Sequence, residues 1–242
     1  MEITAAHLAI FKNIIEQYQH NTRITTKDYW QQLDNNALWL WLVGQVMVVG
    51  GAASNDRFQS REDLKQKISY DALSKYTDDK ALQTVINAVL RAAGVRYASS
   101  DLERCMKSKA LVHNYRFIAN YKGGFKGLLH HLVQMKDEQE RISFLMQHFK
   151  FIKHKSARDF LMSMGINTNT LALDIRIQNI FRHFEINFPT QAQLSSKGIY
   201  DTTEAEIIEK ICEPLNIEPA IFDRILYQNY NEIIGRKEKQ TI

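Results

Sequence analysis

The chain has 242 residues, 45% hydrophobic and 24% charged, the profile of a soluble globular protein with enough apolar matter for a proper core. Its 3 prolines and 10 glycines argue against a turn-rich β fold, and its 2 cysteines, far apart at Cys105 and Cys212, exclude a disulfide framework or a cysteine metal site. The net charge of +4 and pI near 8.9 permit a polyanionic partner without requiring one.

Leu8, Phe11, Ile14 and Ile15 recur at three-and-four spacing and predict an N-terminal helix. The first residues show neither the charged stretch nor the apolar run of a signal peptide. A polar link over 25–28 leads to Tyr29, and Asp34, Asn35 and Asn36 cap an apolar helix starting near Ala37. The apolar run 37–53 is broken by Gln45 and by glycines and is too short to span a bilayer. It reads as a buried helix ended by Gly50 and Gly51. The segment 60–69 is amphipathic and charged, and Asp78 caps a helix through Leu90 that stops at Gly94.

A long helix is expected over 102–121, broken by Gly123 and Gly124, with further helices over 125–135 and 138–148. The last part, 202–234, is again helical, with Thr203 and Glu204 as a start and Pro214 and Pro219 as breaks. Strand-like alternation and internal repeats are absent from the pattern, so the chain reads as all-α with roughly ten helices. Lysines and arginines gather in two segments, Lys107 to Lys126 and Lys150 to Arg158. Each cluster taken alone is as compatible with a solvated face as with a phosphate contact.

The stretch from Phe149 to Arg176 carries the chemistry. Phe149-Lys150-Phe151-Ile152-Lys153-His154-Lys155 forms a tight basic hairpin into a helix that Gly165 stops. A polar loop then reaches Leu171-Ala172-Leu173-Asp174, with Asp174 placed to cap the next helix. An amine at one helix start and a carboxylate at the next can converge on one cleft, which is the equipment for Schiff-base attack on a sugar carbon. Capping alone also accounts for Asp174, and a solvated helix-start lysine accounts for Lys155.

This stretch resembles the helix–hairpin–helix superfamily of DNA glycosylases, and within it the archaeal-type 8-oxoguanine DNA glycosylase/AP lyases. In that family a Gly-hydrophobic-Gly-x-Lys hairpin leads into a helix, and an Asp follows at similar spacing. Lys155-Ser156-Ala157 stands at the nucleophile position and Leu173-Asp174-Ile175-Arg176 at the aspartate position. Phe151 and Lys153 replace both hairpin glycines, which leaves Lys153 and His154, with Arg158 from the same basic cluster, as side-chain phosphate contacts. Human-type members carry a cysteine one turn after the nucleophile; here that position is Asp159, a partner for Lys155. Ala92-Ala93-Gly94-Val95-Arg96-Tyr97 resembles the Gly-x-Arg-Tyr region of the archaeal-type enzymes, and Ile221-Phe222-Asp223-Arg224-Ile225-Leu226-Tyr227 their Leu-Asp-x-x-(Leu/Ile)-Trp segment.

The resemblance implies a two-lobed helical glycosylase fold with approximate lobes 25–130 and 131–242, the N-terminal helix returning to pack beside the C-terminal ones, and a helix–hairpin–helix motif at about 138–165. It implies a bifunctional glycosylase/AP lyase that flips an oxidised purine, 8-oxoguanine, out of duplex DNA, attacks C1′ with Lys155 and nicks the strand by β-elimination. Neighbouring Lys153 and Arg158, with partial burial, are expected to depress the Lys155 pKa. Asp174 would stabilise charge on the sugar and Arg176 would contact a phosphate. Gln45, Asp223 and Tyr227 would recognise the base, and Asn55 would help fill the gap it leaves. Such chemistry needs no metal or organic cofactor. The expected partner is damaged double-stranded DNA, met by a monomer in the cytoplasm or nucleoid. A glycosylase for another damaged base and a catalytically silent DNA-binding module are the alternatives.

Overall fold

Helices follow one another through the described residues, which are 1–49, 51 and 53–235 of the computed structural model, and no strand occurs among them. In chain order they are α1 (Ala5–Tyr18), α2 (Asn35–Met47), α3 (Ala53–Gln59), α4 (Glu62–Lys67), α5 (Tyr70–Leu73), α6 (Asp79–Ala92) and α7 (Met106–Ala119). Then come α8 (Gly124–Gln134), α9 (Glu138–His148), α10 (His154–Ser163), α11 (Ile175–His183), α12 (Lys197–Ile207), α13 (Pro219–Gln228) and α14 (Tyr230–Gly235). A π-helical turn at Ile208–Cys212 prolongs α12. The excess over ten comes largely from the short helices α3 to α5. Gly50, one of the two glycines expected to end α2, lies outside the described residues.

Several starts are set by side chains that accept free N–H groups of the first turn. Asp34 accepts from Ala37 N–H at 2.7 Å, Asp78 from Ala81 N–H at 2.7 Å and Asp137 from Glu140 N–H at 2.8 Å. Stops are equally local. Gly165 adopts φ +69° after α10, a conformation that costs a residue with a Cβ about 1–2 kcal/mol. Gly127 answers to close approach instead: a Cβ there would lie 2.0 Å from the Lys122 carbonyl oxygen.

The chain divides into two units, one of residues 28–153 and one of residues 1–27 with 154–242. The division therefore falls after Lys153 rather than near residue 130, and α9 belongs with the helices before it. The reason is visible in Asn114 of α7, fully buried, which donates to the Lys150 carbonyl at 3.0 Å and accepts from the Lys150 N–H at 2.8 Å. His113 Nε2 also bonds the His148 carbonyl at 3.0 Å. In this unit Trp39 packs edge-on to Tyr115 at 5.4 Å and donates its indole N–H to the Ile68 carbonyl at 2.8 Å. Between α9 and α10 the hairpin keeps a left-handed residue, φ +61°, and it is Phe151 that holds it, at one of the two places where the resembled family has glycine.

In the other unit α1 packs on α11 and α13. Phe11 meets Phe181 at 5.2 Å and Phe222 at 5.5 Å, ring pairs that each add about 0.5–1.5 kcal/mol beyond the area they bury. The N-terminal amine pairs with Glu206 at 2.7 Å, and Asn229 donates to the Thr22 hydroxyl at 3.1 Å. Both cysteines are buried free thiols. Among the described residues no helix is long and apolar enough to cross a membrane.

Candidate active site

Lys155 stands on the first turn of α10 and Asp159 one turn later, so the i,i+4 geometry brings amine and carboxylate together. Lys155 Nζ donates to Asp159 Oδ2 at 2.8 Å, with the lysine side chain 30% exposed and the aspartate 15%. The other oxygen, Oδ1, takes Arg224 Nη2 of α13 at 2.9 Å. The same Arg224 nitrogen donates to the Asp159 backbone carbonyl at 3.3 Å and to the Ser163 hydroxyl at 2.9 Å. Asp159 is thus a carboxylate shared by two cations.

Asp174 sits at the N-cap of α11 in extended backbone, its Oδ1 accepting from Arg176 N–H at 2.9 Å and Ile177 N–H at 3.1 Å. The three residues before it form no regular element, yet each N–H is bound by a buried side chain. Leu171 donates to Glu204 Oε1, Ala172 to Asp223 Oδ2 and Leu173 to the Tyr200 hydroxyl, all at 2.8 Å. Tyr200 returns its own proton to the Leu171 carbonyl at 3.0 Å. A loop whose donors are satisfied from three directions has little freedom, and this fixes where Asp174 begins its helix.

Burial disfavours the Lys155 ammonium, but the ion pair with Asp159 and the fields of Asp174 and Asp223 outweigh it and hold the amine above its ordinary value. The expected depression is reversed, because three carboxylates face this amine and Arg158 faces elsewhere. Asp223 moves the other way. Complete burial lifts its carboxyl to about 7 against the pull of Arg224.

No protein-family model matches the chain, and no curated protein matches it in sequence. Solved structures do match. The 8-oxoguanine DNA glycosylase of Methanocaldococcus jannaschii superposes with a TM-score of 0.65 at 18% identity, over 92% of this chain and 94% of that one. The 8-oxoguanine DNA glycosylase of Thermotoga maritima does so with 0.64 at 22% identity, over 91% and 93%. A second M. jannaschii structure, an 8-oxoguanine glycosylase/lyase in complex with a 15mer DNA containing 8-oxoguanine, gives 0.61 at 17% identity over 92% of both chains. The chain has the fold of the 8-oxoguanine DNA glycosylases.

Within this glycosylase fold, the unit of residues 1–27 and 154–242 holds Lys155, Asp174, Arg176, Asp223 and Tyr227. Lys155 is brought close enough to Asp174 and Asp223 for both to act on its charge. Arg176 lies over the Tyr227 ring, its guanidinium carbon 4.3 Å from the centroid, so one face of that ring is already covered. Asp223 is 1% exposed, its Oδ2 bonded to the Ala172 N–H. Gln45, 6% exposed on α2, and Asn55 on α3, which accepts from Gln59 at 3.4 Å, lie in the other unit of the fold. So does Tyr97, 75% exposed at φ +67° with Arg96 over its ring at 4.9 Å.

Two expected phosphate contacts are corrected. Arg158 is fully buried, its Nε and Nη2 gripping Glu204 at 2.6–2.9 Å and Nη2 reaching Asp201 at 2.9 Å, with the guanidinium over Tyr200 at 4.3 Å. His154 is 7% exposed and packs on the same ring at 5.3 Å. Positions 154 and 158 are four apart, so helical geometry points both toward α12. Lys153, one residue earlier, is exposed. Sequence reasoning missed Arg224, and it placed Glu204 at a helix start when it lies buried within α12. The i,i+3 spacing of Asp201 and Glu204 was the available signal: two carboxylates on the same helix face as Tyr200 and Ile207 ask for a cation.

Proposed function

We propose that this chain is a bifunctional DNA glycosylase/AP lyase that excises an oxidised purine, 8-oxoguanine, from duplex DNA. The observation that carries the reading is the Lys155 amine held at 2.8 Å from Asp159 and within the field of Asp174, in a chain with the 8-oxoguanine glycosylase fold. The related M. jannaschii glycosylase/lyase structure contains DNA with 8-oxoguanine, which supports the same substrate class here.

The chemistry assigns one task to each group. The extruded nucleotide presents C1′ to Lys155. The amine, once neutral, forms an N–C1′ bond while the glycosidic C–N bond breaks, and the base departs with the electron pair. Asp174 opposes the positive charge that develops on the sugar. Opening of the sugar ring gives a protonated imine, and loss of a C2′ proton expels the 3′ phosphate. Lys153 and Arg176 contact phosphates, and Asp223 and Tyr227 read the base. The protein acts as a monomer in the cytoplasm, at the nucleoid in a prokaryotic cell, with no cofactor.

Borohydride trapping on duplexes carrying 8-oxoguanine or an abasic site tests this. A covalent adduct is expected with the native chain, none with Lys155→Ala, and strong loss with Asp174→Asn. Duplex binding with no adduct would leave a silent DNA-binding module. Excision of another lesion in preference to 8-oxoguanine would move the substrate and keep the mechanism.

A further inference from the structure

The Arg224 side chain is only 14% exposed: its Nη2 pairs with Asp159 Oδ1 at 2.9 Å, and its Nη1 lies 4.0 Å from Asp223 Oδ1. Helix α13 delivers it to α10, where it binds Asp159 Oδ1 at 2.9 Å, the Asp159 carbonyl at 3.3 Å and Ser163 Oγ at 2.9 Å. Three contacts from one Arg224 nitrogen hold Asp159 Oδ1 and its backbone against α13, while Asp159 Oδ2 faces Lys155 Nζ at 2.8 Å. We infer that Arg224 is a positioning residue for the Lys155 amine: it aims Asp159 at the nucleophile and, by sharing that carboxylate's charge, weakens its hold on the Lys155 proton.

The inference rests on Lys155 being the nucleophile, as proposed above. The step Arg224 governs is loss of one proton from the ammonium to solvent, which frees the lone pair for the N–C1′ bond. Lys155 is faced by Asp159 from its own helix, by Asp174 from the cap of α11 and by Asp223 from α13. All three favour the charged amine. Asp159, the nearest, carries a second cation that divides its attraction. An isolated pair at the same distance would hold the proton more tightly.

The test uses the full-length protein with Arg224→Gln and Arg224→Lys. In lysine-13C-labelled protein, the Lys155 side-chain resonance, assigned by its loss in Lys155→Arg, is titrated by NMR. Removing the guanidinium charge is expected to raise the Lys155 midpoint by about one pH unit, and restoring a cation with lysine is expected to return it. Single-turnover trapping on the abasic duplex should then fall roughly tenfold near neutral pH in Arg224→Gln and recover in alkali. A Lys155 midpoint that stays put or drops in Arg224→Gln overturns the inference, as does a loss of rate that is equal at every pH and the same in both variants. If the native chain forms no adduct while the midpoint moves as expected, the lyase reading fails and the electrostatic role of Arg224 stands.

Discussion

Arg158 and Glu204 form an ion pair from which water is excluded: the guanidinium is 0% and the carboxylate 4% exposed, and three of their N–O contacts lie between 2.6 and 2.9 Å. The pair joins α10, which carries Lys155, to α12, and Glu204 also binds the Leu171 N–H ahead of Asp174. A buried pair of this kind says little about net stability until one partner is removed, and then the survivor is an uncompensated charge.

Glu204→Ala is therefore expected to destabilise the protein by about 3–5 kcal/mol in urea unfolding. The companion measurement concerns DNA. With its charge spent inside the protein, Arg158 contributes nothing to counterion release, so Arg158→Lys should leave the salt slope of duplex affinity unchanged, whereas Lys153→Ala should reduce that slope by roughly one. A reduced slope for Arg158→Lys would return that residue to the DNA surface.

The rate of adduct formation should depend on pH in a direction set by the Lys155 environment. The amine is held above its ordinary value, so at neutral pH it is overwhelmingly ammonium. Only the neutral fraction attacks, and below the pKa that fraction grows about tenfold per pH unit. Single-turnover trapping should climb with pH from 6 to 9. A profile flat over this range would mean that the proton leaves within the complex and not to solvent.

Asp223 should make folding stability pH-dependent in the opposite sense to an ordinary paired carboxylate. Its carboxyl titrates near 7 in the fold and near the usual carboxylate value when unfolded. Between those limits the native state binds the extra proton. Stability from this group is fully present at the acid end and declines as pH rises through 7, by an amount on the order of a few kcal/mol. Asp223→Asn keeps an oxygen for the Ala172 N–H and removes the titration. The variant should lose less stability than the native chain between pH 5 and 8 in chemical denaturation; parallel curves would refute the assignment.

Lys107 offers a test in the other unit. It is 6% exposed on α7 and donates to the carbonyls of Met47, at 3.3 Å, and Val49, which closes the C-terminal end of α2. Burial pulls its pKa below the ordinary lysine value. Lys107→Met keeps the aliphatic bulk and strips the donor. The expected cost is about 1–3 kcal/mol by thermal or urea unfolding, with faster amide exchange around residues 47–49.

Periodicity and caps determined most of the longer helices, though not the short α3 and α5 or the start of α12 at Lys197. Asp34, Asp78 and Asp174 each begin one where expected, and Gly94 and Gly165 each take the left-handed turn that ends one. These signals are legible because they act within a few residues of backbone. The positions of Lys155 and Asp174 at helix starts were legible for the same reason, and Asp159 lies one i,i+4 step on; the roles proposed for them came from the family resemblance and not from local geometry. The tertiary structure alone decided which charges face inward. Lys153, His154 and Arg158 look alike in a basic run, yet one is exposed, one packs on Tyr200 and one is sealed against Glu204. Those fates depend on partners 46 residues away, as with Glu204 for Arg158, or 65, as with Arg224 for Asp159. A charge's pKa and its availability to a phosphate follow from burial and from whichever opposite charge the fold brings within about 4–6 Å, and no local pattern encodes either.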